Sequence, residues 1–372
     1  LVEIADSGNT LIGRRVCFIL SDLSSSFEGI ARVFINWSIE LQNHGNEIYF
    51  VLLNCAKRIT QTIQSRSATI TIGEGKNITD VVNFLKSHKP EILMSDDNLG
   101  RMKLLLRLKK KLKVRTCVYV QILYGVHSVV DSFDVSYLRF KERLTYQLTR
   151  LVPFSLLKSS YKRALLSQDI VIANSQITAT LLHTWYGVEP QTIVYPPVDR
   201  TVFRRKEFPK DANQVLLYLG SHAGDTNKNL VRKICEILRS MKSKVLVFGN
   251  NQLQISLSRE FELEEVSEVS DEKLAELYCC SKLIICPQHW ETFGYVIAES
   301  IACGTPVLSF NLMGQGELGM LSNCVLAANN EKEFLKKIND THIKSECQGN
   351  ISHSWDSTWS AEKLNYIIRN YE

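Results

Sequence analysis

At 372 residues, with 45% hydrophobic and 22% charged content, the chain has ordinary globular composition and a length that favours two domains over one. Its apolar runs, such as 16–20 and 282–287, stop far short of the roughly 18–20 residues of a membrane-spanning helix. Its first residues lack the basic start and cleavage site of a secretory signal, so a cytoplasmic location is expected. The net charge of +5 is uneven: residues 1–199 hold 24 Lys+Arg against 17 Asp+Glu, and the remainder 20 against 22, which points to anionic partners for the N-terminal half.

The first strand is predicted at 14–20, followed by the polar loop SDLSSSFEG and a helix over 30–45. In that helix Ile30, Val33, Phe34, Trp37 and Leu41 recur at helical spacing, and Gly45 ends it. A strand at 47–53, a helix begun by Thr79 or Asp80, and strands at 91–95 and 116–122 continue the alternation of a doubly wound parallel sheet. Polar loops fall at the carboxyl ends of these strands, where open α/β sheets bind ligands. The stretch 101–115 has eight basic and no acidic residues, and it and 137–163 interleave Leu, Phe and Tyr with Lys and Arg. That pattern suits a solvated helix face or an anionic surface. After a strand at 169–175 and a helix stopped by Gly187, Pro196-Pro197 marks a junction. The same rhythm then restarts, with strands at 215–221, 244–249, 283–287 and 305–310 separated by helices. Two Rossmann-like α/β lobes facing a cleft are expected.

The ten cysteines are scattered, several inside strand-like runs, as Cys17, Cys117 and Cys286 are, and they read as buried free thiols rather than disulfides. Cys279, Cys280 and Cys286 lack the pair-of-pairs spacing of a zinc site. No G-x-G-x-x-G follows the first strand of either half, which argues against a dinucleotide-dependent dehydrogenase.

The most informative stretch is CPQHWETFGYVIAESIACGTPVLSF, residues 286–310. Glu291 lies in the loop after a buried strand, Gly294 permits a tight turn, and Glu299 sits on the following helix, which stops at Gly304. The helix start at Phe293, Gly294 and Tyr295 offers N–H groups and positive dipole to a phosphate, while carboxylates suit the hydroxyls of a sugar or ribose.

With Gly304, Pro306 and Val307, this Glu-x7-Glu stretch resembles the family 4 (group 1) retaining glycosyltransferases of the GT-B fold. The likeness runs on through DIVIANSQITATLL, TIVYPPVD and SDEKLAELYCCSKLIICP to SWDSTWSAEKLNYIIRNYE. It implies an acceptor-binding lobe at 1–198, a nucleotide-sugar-binding lobe at 199–356, and a last helix at about 357–371 crossing back to the first lobe. It further implies that Glu299 binds the nucleotide ribose and that Glu291 holds donor-sugar hydroxyls. Thr292, Phe293, Gly294 and Tyr295 would meet sugar and diphosphate, and Lys228, after the strand-end Gly220, would neutralise the departing diphosphate without a metal or other cofactor. Two departures stand out. Ser221 and His222 occupy the place of the family's phosphate-binding Arg, and the N-terminal loop has the single Gly29 where a Gly pair is usual. The family's cleft His falls to His127, with Gln121 as the alternative occupant. Asp96 and Asp97 line the acceptor side or cap a helix on this reading, rather than holding a metal.

The resemblance implies transfer of a hexose with retained anomeric configuration. The basic N-terminal half favours a lipid-linked or membrane-proximal glycan acceptor, with the protein peripheral on an anionic membrane surface. A protein or soluble polysaccharide acceptor is the alternative, and no nucleic-acid motif accompanies the charge. A GT-B nucleotide-sugar epimerase, a sugar phosphorylase and a catalytically decayed nucleotide-sugar-binding protein are the other readings of the same lobes.

Overall fold

The computed structural model describes residues 13–21, 29–75, 77–121, 123, 144, 147, 154–209, 211–220, 226–266, 269–339, 347 and 355–370. The first part runs β1 (Arg15–Ser21), α1 (Gly29–Asn43), β2 (Glu47–Leu53), α2 (Lys57–Arg66), β3 (Thr71–Glu74), α3 (Ile78–His88), β4 (Ile92–Asp96), α4 (Leu99–Leu112), β5 (Arg115–Val120), α5 (Phe154–Leu166), β6 (Ile170–Ala173), α6 (Gln176–Leu181) and β7 (Thr192–Ile193). The strands form one parallel sheet in the order β3-β2-β1-β4-β5-β6-β7. Burial on both faces explains why β1 and β4 read as unbroken apolar runs rather than alternating ones.

Local chemistry sets the boundaries. The α3 helix starts at Asn77 rather than at Thr79 or Asp80, because the Asn77 side chain accepts from the N–H groups of both. Helix α6 passes into a π-helical turn, Leu182–Tyr186, which Gly187 closes in the left-handed conformation.

The second part runs β8 (Asp211–Tyr218), α7 (Lys228–Ser240), β9 (Lys244–Phe248), α8 (Asn251–Ser258), β10 (Glu264–Glu265), α9 (Asp271–Cys280), β11 (Ser281–Cys286), α10 (Tyr295–Ala302), β12 (Val307–Phe310), α11 (Met313–Leu321), β13 (Val325–Ala328), α12 (Glu331–Ile338) and α13 (Ser357–Asn370). Its sheet, β10-β9-β8-β11-β12-β13, is again parallel throughout. Helix α13 packs on α1 of the first lobe, where Ser360 accepts from the Trp37 indole at 2.8 Å and Asn365 from Asn46 at 2.9 Å. The two chain crossings between the sheets lie side by side, joined by Val198 N–H donating to Trp355 O at 2.9 Å.

The expectation of free thiols throughout is corrected at one place. Cys324 and Cys347 form a disulfide with Cα atoms 5.2 Å apart, while the other eight cysteines are free. The pair is 23 residues apart in sequence, with Cys324 immediately before β13. No helix among the described residues is long and apolar enough to cross a membrane.

Candidate active site

The loop from β11 to α10 is fixed from both sides. Gln288, fully buried, donates to Tyr218 O at 2.9 Å and to Thr226 Oγ1 at 3.0 Å, while Gln315 on α11 donates to Gln288 O at 2.6 Å. This polar hub ties the β11 end to the β8 end. Beyond it, Gly314 N–H donates to Glu291 O at 2.8 Å. A Cβ on Gly314 would stand 2.5 Å from Thr292 O and Phe293 N, so only glycine lets α11 come this close.

Across the cleft, the first lobe grips the same loop. Asn174 donates to Thr292 Oγ1 at 3.1 Å, and Ser175 Oγ to Thr292 O at 2.7 Å. Glu317 on α11 accepts from the N–H groups of Gln176 and Ile177, each at 3.0 Å, and from the Tyr195 hydroxyl. A carboxylate of the second lobe therefore caps a helix of the first. The Phe293 ring is buried among Tyr195, Tyr295 and Trp355. Gly294 takes φ +101° at the start of α10 and, being glycine, contributes no side-chain cap of its own; a helix start of this kind presents N–H groups and a positive pole. Opposite it stands Gly29, the first residue of α1, where an added Cβ would lie 4.0 Å from the Tyr295 ring.

Glu299, on α10, is wholly buried. One carboxylate oxygen accepts from the Tyr278 hydroxyl at 3.1 Å, and the other pairs with the Arg32 guanidinium from α1 of the opposite lobe. Arg32 lies 5.1 Å from the Tyr295 ring centroid and 5.5 Å from that of Phe203, stacking that adds cation–π attraction. Burial pushes the Glu299 carboxyl up to about 7; Arg32 opposes this and Asp271 adds to it. Burial alone would lower Arg32, but Glu299 and then Asp271 outweigh it and hold the guanidinium above its ordinary value.

The remaining expected site residues are spread more widely. Lys228 opens α7, and its ammonium donates to Ser256 Oγ on α8 at 2.6 Å. Gly220, at φ +80°, ends β8 with its carbonyl against Gly249, where a Cβ would come within 2.4 Å of it. Asp96 does not line an open surface: it is 1% exposed and bound to Arg101, and burial raises its carboxyl above the ordinary value despite the opposing Arg101 charge. Asp97 caps the chain after β5, accepting from Gln121 N–H at 3.0 Å, Leu123 N–H at 2.9 Å and the Tyr161 hydroxyl at 2.7 Å. Gln121 is thereby held at the carboxyl end of β5. His127, Ser221 and His222 lie outside the described residues. Among the described residues no group of three or more His, Cys, Asp or Glu is arranged to hold a metal ion.

Arg32, Asn174, Ser175, Gly314 and Glu317 were not legible as site residues. The partners of Arg32, Asn174, Ser175 and Glu317 sit about 120–270 positions away in sequence, whereas Gly314 meets Glu291, Thr292 and Phe293 on the nearby loop and leaves a trace in the glycine-rich run MGQGELG.

Residues 213–342 match the family model described as glycosyl transferases group 1. The match lies within the C-terminal lobe. A D-inositol 3-phosphate glycosyltransferase of Rhodococcus erythropolis is 28% identical over 189 residues, 41% of this chain and 42% of that protein; the chain thus matches about two fifths of the length of this curated relative. Among solved structures, Anabaena Alr3699/HepE, in complex with UDP and glucose, aligns with a TM-score of 0.70 at 12% identity, over 95% of this chain and 99% of its own. The UDP-GlcNAc 2-epimerase of Methanocaldococcus jannaschii aligns at a TM-score of 0.58 and 12% identity, over 95% and 99%. These likenesses show the fold: two Rossmann-like lobes in the GT-B arrangement, with the β11–α10 loop inside the segment that matches the group 1 model.

Proposed function

We propose that the protein is a metal-independent, retaining glycosyltransferase that moves a hexose from a nucleotide-sugar to a lipid-linked or membrane-proximal glycan. The observation that carries this is the β11–α10 loop. A glycine-begun helix start at Gly294 sits at the carboxyl end of a parallel sheet, flanked by Glu291 and Glu299 and gripped by the opposite lobe. The Anabaena structure holding UDP and glucose in the same fold supports a nucleotide-sugar as the ligand. On this reading the α10 dipole and Lys228, released from Ser256, stabilise the diphosphate as it leaves. Glu291 orients the sugar hydroxyls and Glu299 the ribose. His127 or Gln121 faces the reacting carbon from the first lobe. Catalysis is then positioning plus fixed charge in a closing cleft.

The acceptor assignment rests on the first lobe. Helices α4 and α5 pack together on one face of its sheet. They expose Lys103, Arg107, Lys110, Lys111, Lys113 and Arg163 beside the exposed Leu156 and Leu166, a mixture suited to an anionic lipid surface. Thermal shift against UDP-, GDP-, ADP- and dTDP-sugars, with and without EDTA, tests the donor, since a ligand of the native state raises Tm. Stabilisation by one nucleotide class that EDTA leaves unchanged is expected; no shift with any donor would sink the transferase reading. Flotation with anionic liposomes, weakened at high salt, tests the acceptor surface, and absence of binding would remove the membrane from the proposal.

A further inference from the structure

Arg32 faces two carboxylates of the opposite lobe. Its Nη2 pairs with Glu299 and lies 3.6 Å from Asp271 Oδ1. That Oδ1 and Glu299 Oε1 are both buried, and Arg32 is the charge that faces each of them, nearer to Glu299. The other Asp271 oxygen, Oδ2, is held by Arg66 at 3.2 Å, and Arg66 is itself fixed by Asn36 at 2.8 Å. Asp271 is therefore held through Oδ2 by Arg66 and faces Arg32 with Oδ1, a contact that would shorten to hydrogen-bond length if the guanidinium moved by less than about 1 Å. Space for that movement exists. Arg32, Asn36, Arg58, Arg66, Ser270 and Asp271 border a hollow of about 280 Å³ between α1, α2 and the start of α9. With Arg32 in place, both oxygens of Glu299 face protein partners and the side chain is sealed from solvent.

We propose that Arg32 is a two-position counter-ion, resting on Glu299 while the donor is absent and transferring to Asp271 when ribose hydroxyls take over Glu299. This inference rests on the reading of Glu299 as the ribose ligand. Arg32 and Asp271 are then positioning residues that touch no donor atom, and their contribution is a coupling between lobe contact and donor binding, an effect commonly worth 5–150-fold in affinity.

The test is a double-mutant cycle on affinity for whichever of UDP, GDP, ADP and dTDP binds the wild-type chain. Asp271→Asn should weaken binding at least about fivefold, because Arg32 loses its second position. In an Arg32→Gln background the same change should cost less than about twofold. An unchanged affinity for Asp271→Asn overturns the proposal. So does an equal loss in both backgrounds, which would mean that Asp271 touches the nucleotide itself. Glu299→Gln separates the two levels: no loss of affinity there defeats the ribose reading, whereas a loss there without the Arg32-dependent Asp271 effect defeats only the transfer. Should Arg32→Gln fail to fold, the Arg32 Nε–H resonance of ¹⁵N-labelled wild-type protein reports the movement directly. It should shift when the nucleotide is added, and an unmoved resonance overturns the proposal.

Discussion

Replacing Gly314 by Ala is the sharpest probe of the β11–α10 loop. The added Cβ would lie 2.5 Å from Phe293 N and from Thr292 C and O, about 1 Å inside the closest comfortable contact, and all three are backbone atoms that no rotamer change can move. The 292–293 peptide must give way, although Asn174 and Ser175 hold Thr292 from the other lobe. Overpacking of this kind costs about 1–3 kcal/mol, so the variant should fold with a lowered Tm. A displacement near 1 Å at a positioning loop is worth about 100-fold in rate, and kcat/KM for release of nucleoside diphosphate should fall by about 10–100-fold. Gly319→Ala is the control on the same helix. Its Cβ would meet Ala327 at 3.5 Å and Val325 at 3.6 Å, ordinary contacts, so it should leave activity intact and gain up to about 1 kcal/mol from helix propensity. Equal activity of the Gly314 variant and the Gly319 control would refute the assignment of this loop to the donor.

Glu317→Gln removes the charge that caps α6 across the lobe interface, which should lower stability by about 1–2 kcal/mol in urea unfolding. Reduction with dithiothreitol opens the Cys324–Cys347 bridge and should cost about 3 kcal/mol for a loop of 23 residues, read as a drop in Tm that the double Cys→Ser variant already shows without reductant. Glu299 supplies a pH signature. Its folded value is raised to about 7 by burial, so the stability it allows is fully present below about pH 4.5 and is lost as pH rises through about 7. That amounts to about 3 kcal/mol over the window, and Glu299→Gln should flatten the difference in urea midpoint between pH 5 and pH 8.

Much of the fold was legible because it is written locally. The strand at 47–53 matches β2 (Glu47–Leu53), and the basic stripe at 101–115 overlaps most of α4 (Leu99–Leu112), whose Met102, Leu105 and Leu108 face the core at helical spacing. Short elements were not legible: β3, β10 and β13 span four residues or fewer, with partly exposed or wholly exposed positions that break the apolar signal. Within the site, the sequence pointed to Glu291, Gly294 and Glu299 because they share one strand–loop–helix unit. It could not point to what they touch. Asn174, Ser175 and Arg32 reach the same loop and helix from the other sheet, and no periodicity links residues that meet only after both lobes have formed.

That distinction bears on how the cleft works. Beside apolar contacts such as Tyr295 and Trp290 on the cores of the first lobe, several contacts between the lobes are polar and come in pairs that can be exchanged: Thr292 with Asn174 and Ser175, Glu317 with the α6 N–H groups, Glu299 and Asp271 with Arg32. An apolar interface of the same extent would hold the lobes in one relation, since hydrophobic burial is lost on separation with nothing to replace it. Hydrogen bonds and ion pairs trade partners with water or ligand at a net cost of about 1 kcal/mol each. A donor that offers hydroxyls and phosphate oxygens competes in the same chemistry. On the proposed reading, these polar contacts let binding at the β11–α10 loop be felt by α1, α2 and α6 of the opposite lobe.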